Sequence, residues 1–180
     1  FVIEHPEWID AELAKKLDLR RHHDKGRIYR IYPVDKKPRP IPRLDRLDTA
    51  GLVAALDSPN GWQRDLAQQI LLWRADEAAV EPLEAMAVGS RRAPARLHAL
   101  CTLDGLGALR PEIVLDALSD EHPGVRRHAV RVSESLVDSA EALGNALVKL
   151  VDDPDAHVRM QLAYSLGEWE DPRAGRALAH

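Results

Sequence analysis

The chain has 180 residues, enough for one domain of ordinary size that buries roughly 70% of the surface its unfolded form would expose. Phe, Tyr and Trp number only 1, 3 and 4, while Ala, Leu, Val, Arg and Asp abound, which points away from an all-β fold and toward helices joined by aliphatic packing. Charge is uneven: residues 1–47 carry 12 Lys/Arg against 8 Asp/Glu, whereas residues 48–180 carry 13 against 21, and an acidic body repels phosphate backbones and so speaks against a nucleic-acid partner.

Residue 1 is Phe, no signal-like apolar run opens the chain, and no stretch approaches the roughly 20 apolar residues of a bilayer span. The expectation is a soluble piece of a longer protein, without membrane insertion. Cys101 stands alone, so an intramolecular disulfide, a CxxC zinc pair and a CxxCH haem site are all absent.

In chain order, "FVIEH" is a short apolar run, and "PEWIDAELAKKLDL" follows with Ile9, Leu13 and Leu17 at i, i+4, i+8, the spacing of one helix face. Pro6 suits the first turn of that helix, with Trp8 docking on it. "DKGRIYRIYP" (24–33) then reads as a β-strand behind a Lys25-Gly26 turn signal, able to pair with residues 1–5. "YPVDKKPRPIPR" brings four prolines within residues 32–42, suits neither helix nor ladder, and marks a boundary. The predicted division is 1–32, a Pro-rich basic linker at 33–47, and a main body at 48–180.

From Asp48 onward the sequence repeats itself. Arg64, Arg96, Arg126 and Arg159 are spaced by 32, 30 and 33 residues. Eight residues before each arginine stands an aliphatic residue (Leu56, Val88, Leu118, Val151), and three residues after it come Ala67, Ala99, Ala129 and Leu162. A period near 32 predicts stacked helical pairs, each a short helix, a polar turn and a longer helix. The turns Ser58-Pro59-Asn60, Ser90 with Pro94, Asp120 with Pro123 and Asp153-Pro154 supply cap and first-turn chemistry to the second helix. One pair cannot bury its own apolar stripe, so the stack is obligatory. "EDPRAGRALAH" begins a fifth unit.

"DEHPGVRRHAV" (120–130) and "DPDAHVRMQLAYSLG" (153–167) resemble the HEAT-repeat family. That resemblance implies an all-α solenoid of about four repeats, with an Asp in each turn and an Arg six residues later joined into a charged ladder. Asp120 with Arg126 and Asp153 with Arg159 fit; the first two repeats keep Arg64 and Arg96 but carry Ser58 and Ser90 at the Asp position. Treated as partly exposed pairs, such contacts are worth about 0–1 kcal/mol each and set register. The N-terminal run with "GRIYRI" is similar to the end of the β-propeller in secreted dehydrogenase-like proteins of planctomycete-type bacteria, which run propeller, HEAT repeats, then a c-type haem domain. This second resemblance implies that residues 1–32 are the hairpin-and-helix remnant of a propeller and that haem c belongs only to a downstream domain. It also implies a periplasmic or secreted location, with adjacent domains of the same parent chain as the protein partners.

No metal, cofactor or catalytic residue is assigned. His98 and His128 fall at equivalent positions on neighbouring second helices and read as repeat-position polar residues, while His22-His23 reads as a solvated turn. Ser133, Ser135 and Ser139 lack a GxSxG elbow, and Cys101 in "HALCTL" reads as an inert core thiol. Trp62, Trp73 and Trp169 are the candidate interaction residues, since exposed tryptophans anchor interfaces; the other reading is packing against the linker or a neighbouring repeat. The function expected is a non-catalytic scaffold and spacer. The alternatives are a contribution of the 20–27 segment to an oxidoreductase site in the parent, and a nucleic-acid-binding HEAT module.

Overall fold

The computed structural model describes residues 5–18, 24, 26, 28–38 and 40–179. It divides into two compact units, Phe1–Ile41 and Pro42–His180.

In the first unit a 3-10 turn at Pro6–Trp8 leads into α1 (Ala11–Ala14). Asp10 caps α1 by accepting the N–H groups of Glu12 and Leu13, both at 3.0 Å. The helix is a single turn, far shorter than the Ile9/Leu13/Leu17 spacing predicts. No described residue of this unit is buried, and Leu13 and Leu17 are exposed, so the stripe has nothing to drive it into a longer helix. Trp8 does not dock on the helix either: it is 78% exposed and stacks on the His5 ring at 4.2 Å. The predicted strand is also corrected. Ile28, Tyr29, Ile31 and Tyr32 are exposed and in no strand, and the described residues contain none at all. A single strand without a neighbour leaves its backbone groups to water, and β-forming side chains cannot substitute for the missing ladder. The proposed partner strand at 1–5 lies, apart from His5, outside the described residues.

The second unit is a double layer of helices. A 3-10 turn (Leu44–Arg46) leads into α2 (Thr49–Ala55) and α3 (Gly61–Arg74). The next pair is α4 (Val80–Gly89) with α5 (Ala93–Gly105), and the third α6 (Pro111–Leu118) with α7 (Pro123–Val132). Two 3-10 turns then lead to α8 (Glu141–Leu147), extended by 3-10 residues Val148–Asp152, and to α9 (Ala156–Gly167) and α10 (Pro172–Leu178). Within each pair the helices pack on each other. Between pairs, α3, α5, α7 and α9 form one layer, and α2, α4, α6 and α8 the other.

The repeat explains the core. Three residues after each arginine, Ala67, Ala99, Ala129 and Leu162 are at most 2% exposed; seven residues after, Leu71, Leu103, Ser133 and Leu166 are buried as well. The three alanines let second helices approach closely, and Leu52, Leu56, Leu83, Leu100, Val114 and Leu143 fill the space between layers in one continuous cluster. Ser133 sits where its counterparts are leucines; its hydroxyl donates to the Val130 carbonyl at 2.7 Å, so the buried oxygen is satisfied. Val88 breaks the aliphatic pattern and is exposed, because α4 carries one more residue between its core face and the turn than α2 does. Leu83 and Ala87 take the buried places instead.

Helix ends are marked by Asn60, His122, Asp155 and Asp171, whose side chains accept the N–H two residues on, and by prolines in the first turns of α5, α6, α7 and α10. Ala75 ends α3 in the left-handed region (φ 46°), a place usually given to glycine.

Candidate functional site

The repeat arginines form one rail along the turns. In each repeat Nη1 of the arginine donates to the backbone carbonyl six residues earlier: Arg64 to Ser58 at 2.7 Å, Arg96 to Ser90 at 2.8 Å, Arg126 to Asp120 at 2.8 Å and Arg159 to Asp153 at 2.5 Å. That bond ties the second helix to its own turn. The other edge of the guanidinium reaches the next repeat. Arg96 donates through Nε and Nη2 to the Asp120 carboxylate at 2.6 and 2.7 Å, and Arg126 does the same to Asp153 at 2.7 and 2.9 Å. These are bidentate, charge-assisted bonds.

Each turn residue also shapes its own loop. Asp120 accepts the His122 N–H, Asp153 that of Asp155, Ser90 that of Arg92 and Ser58 that of Asn60, so this position holds the turn while the residue two further on stands at the cap. The cap position expected in these turns falls on Asn60 in the first, and in the others on the residue two beyond Ser90, Asp120 and Asp153. The pairs are also more enclosed than expected. The side chains of Arg96 and Asp120 are 7% and 9% exposed, those of Arg126 and Asp153 12% and 3%, so they belong with buried ion pairs rather than with weak surface contacts. At Asp153 the Arg126 hydrogen bonds outweigh burial and hold the carboxyl below its ordinary range. Burial pushes Asp120 the other way, yet the bonds from Arg96 and the His122 N–H together with the Arg96 charge leave it lowered too.

Trp62 and Trp73 lie on one face of α3, with Leu66 and Gln69 between them at i+4 and i+7 from Trp62. Both indoles are solvent-exposed, at 76% and 73%, and Trp62, Asp65, Leu66, Gln69 and Leu72 line a shallow open depression. Trp169 is no exposed anchor but takes the packing alternative: it is buried, with Nε1–H donated to Asp138 at 3.1 Å and the Arg173 guanidinium 4.9 Å above its ring. Gly144 on α8 makes room for it, since a Cβ there would lie 2.6 Å from the indole. This lock joins residues one repeat apart, a separation that could have revealed it.

The same one-repeat separation governs the histidines. His98 Nδ1 meets Gln68 Oε1 at 2.8 Å, and His128 Nδ1 lies 3.8 Å from Cys101 Sγ, each linking neighbouring second helices. His98 is half-buried, a polar member of the helix-to-helix contact. Burial, then the Arg64 charge, lowers its pKa; burial and Arg127 and Arg131 lower that of His128. Burial pushes the Cys101 thiol up, away from the reactive thiolate. Among the described residues no group of three or more His, Cys, Asp or Glu is placed to hold a metal ion, and no helix is long and apolar enough to cross a membrane. Arg20, Arg21, His22 and His23 lie outside the described residues.

Residues 111–180 match the family described as HEAT repeats, which covers the third and fourth helical pairs and α10. Residues 1–35 match a separate family, described as Domain of unknown function (DUF7133). No curated protein matches the chain. The third and fourth helical pairs, which carry Arg126 and Arg159 of the rail, are thus similar to HEAT repeats, which generally form helical scaffolds for protein interaction.

Proposed function

We propose that residues 42–180 are a spacer and docking module, in which the clamped repeats from α4 to α9 hold a fixed length and the Trp62/Trp73 face of α3 is offered to a protein partner. The observation that carries it is the rail: the same Arg-to-turn bond recurs at four successive turns, and two consecutive joints are closed by bidentate Arg–Asp pairs. Repeated joints of one geometry transmit position along a stack. The setting we infer is a larger secreted, dehydrogenase-like protein carrying a haem domain elsewhere. Supporting it is the order along the chain, a segment of a different family at 1–35, a proline-rich stretch, then the repeats.

The test uses spin labels at Ala85→Cys and Asn145→Cys, exposed positions on α4 and α8, in a Cys101→Ser background. One narrow distance distribution is expected, and a broad or multiple one defeats the spacer reading. In the parent protein, Arg20, Arg21, His22 and His23 changed to Ala should leave any turnover intact. Lost turnover with unchanged melting would favour a catalytic contribution instead.

A further inference from the structure

The four turns share every bond of the rail except one. Where the later joints have Asp120 and Asp153, the joint between the first and second repeats has Ser90. Its hydroxyl accepts the Arg92 N–H at 3.1 Å, as the aspartates accept theirs at 2.8 and 2.9 Å, so the turn keeps its form. What the hydroxymethyl group lacks is the reach and the charge to engage Arg64. Arg64 still ties its own turn through Nη1, but its Nε is buried with no hydrogen-bond partner, alone in this respect among the buried side-chain nitrogens and oxygens of the described residues. A buried donor left unpaired is destabilising where it stands.

The contacts that do cross this joint are of a weaker kind. Asp57 accepts from the Ser90 hydroxyl at 3.3 Å and faces Arg92 Nε at 3.6 Å, with the Arg92 and Asp57 side chains 55% and 47% exposed, so water screens them. Gln68 meets His98 with a single bond, the exposed Asp65 carboxylate lies 3.6 Å from His98 Nε2, and Thr49 meets Asp76 with another single bond. None reproduces a two-bond clamp on an enclosed guanidinium. The apolar layer is continuous across the joint, but apolar packing is non-directional and resists sliding less than a bidentate pair does.

We propose that the joint between the first and second repeats is the compliant hinge of the stack, and that the repeats joined by Arg96–Asp120 and Arg126–Asp153 move as one block. The inference rests on the missing clamp, not on the spacer role, and the two fail separately. The positions Ala54, Ala85 and Asp116 are equivalent, exposed sites on α2, α4 and α6. In Cys101→Ser protein, spin labels at Ala54→Cys with Ala85→Cys should give a distance distribution about twice as broad as labels at Ala85→Cys with Asp116→Cys. Installing the absent carboxylate with Ser90→Asp, together with Asp57→Asn so that it does not face a like charge, should narrow the first distribution and raise Tm by about 2–4 °C. As a converse in a stack that already folds, Asp120→Ser should broaden the second distribution. Equal widths across the two joints, or no narrowing on restoring the carboxylate, overturns the hinge. A narrow Ala85–Asn145 distribution would in that case leave the spacer reading standing.

Discussion

Asp153→Ala is the sharpest test of the rail. The substitution removes two charge-assisted bonds from Arg126, at 2.7 and 2.9 Å, and the acceptor for the Asp155 N–H at 2.9 Å. Because the Asp153 side chain is 3% exposed and that of Arg126 12%, water cannot readily replace what is lost, and a cation is stranded in a nearly closed site. Breaking such a pair from one side costs about 3–5 kcal/mol. Arg126 keeps its bonds to the Asp120 and Glu121 carbonyls, which places the expected loss at the lower end, about 3 kcal/mol, or a Tm fall of roughly 6–12 °C at this chain length. Asp153→Asn keeps an acceptor for the turn and should lose less. Arg126→Met combined with Asp153→Ala removes the stranded charge and should recover part of the loss. Thermal and urea denaturation of the wild type, Asp153→Ala, Arg126→Met and the double variant gives the coupling energy directly. A loss below about 1 kcal/mol for Asp153→Ala, or a double variant no more stable than the single, would refute the buried-clamp account.

Three further outcomes follow from the packing and the charges. Gly144→Ala should destabilise by about 1–3 kcal/mol and expose Trp169, read as a red shift of its fluorescence, since the added Cβ would meet the indole at 2.6 Å. Ala75→Gly should stabilise by about 0.5–1 kcal/mol, the relief at φ 46° exceeding the added freedom of the unfolded chain; an unchanged denaturation midpoint counts against it. Acid should weaken the fold in two stages. His98 and His128 have folded pKa values below their unfolded ones, so the unfolded chain binds more protons and stability falls as pH drops below about 6.5. Asp120 and Asp153 are also depressed, and their contribution is lost only as pH falls below about 4. His98→Gln with His128→Gln should abolish the upper stage in a Tm-against-pH series, and a wild-type profile flat from pH 7 to 5 would contradict the assignment.

What could be read from the sequence is what the repeat itself imposes. Arg64, Arg96, Arg126 and Arg159 stand out by spacing because each must reach the same carbonyl in its own turn, and Ala67, Ala99 and Ala129 because neighbouring helices approach at the same place each time. The misreadings fall where a residue's environment comes from outside its own repeat or from no neighbour at all. The sequence alone does not separate a packed Trp169 from an exposed anchor, because its burial depends on the absent Cβ of Gly144 and on Asp138, neither near it in sequence. Val88 departs from the aliphatic pattern through a single extra residue in α4, which rotates its side chain off the core face. Ile28 to Tyr32 have strand-forming side chains, yet a strand is a property of a pair, and the described chain supplies no second member.

The choice of arginine at the rail follows from geometry. One guanidinium must serve two masters at once, Nη1 bonding backward to its own turn and Nε with Nη2 bonding forward to the next repeat's carboxylate. The fork holds these directions in one plane, whereas an ammonium offers a point charge on a flexible stem and fixes neither angle. Each closed joint is therefore specified twice, by an apolar layer that sets the spacing and by a planar pair that sets the register. Where Ser90 replaces the carboxylate only the first specification remains, and the molecule's freedom is concentrated at that joint.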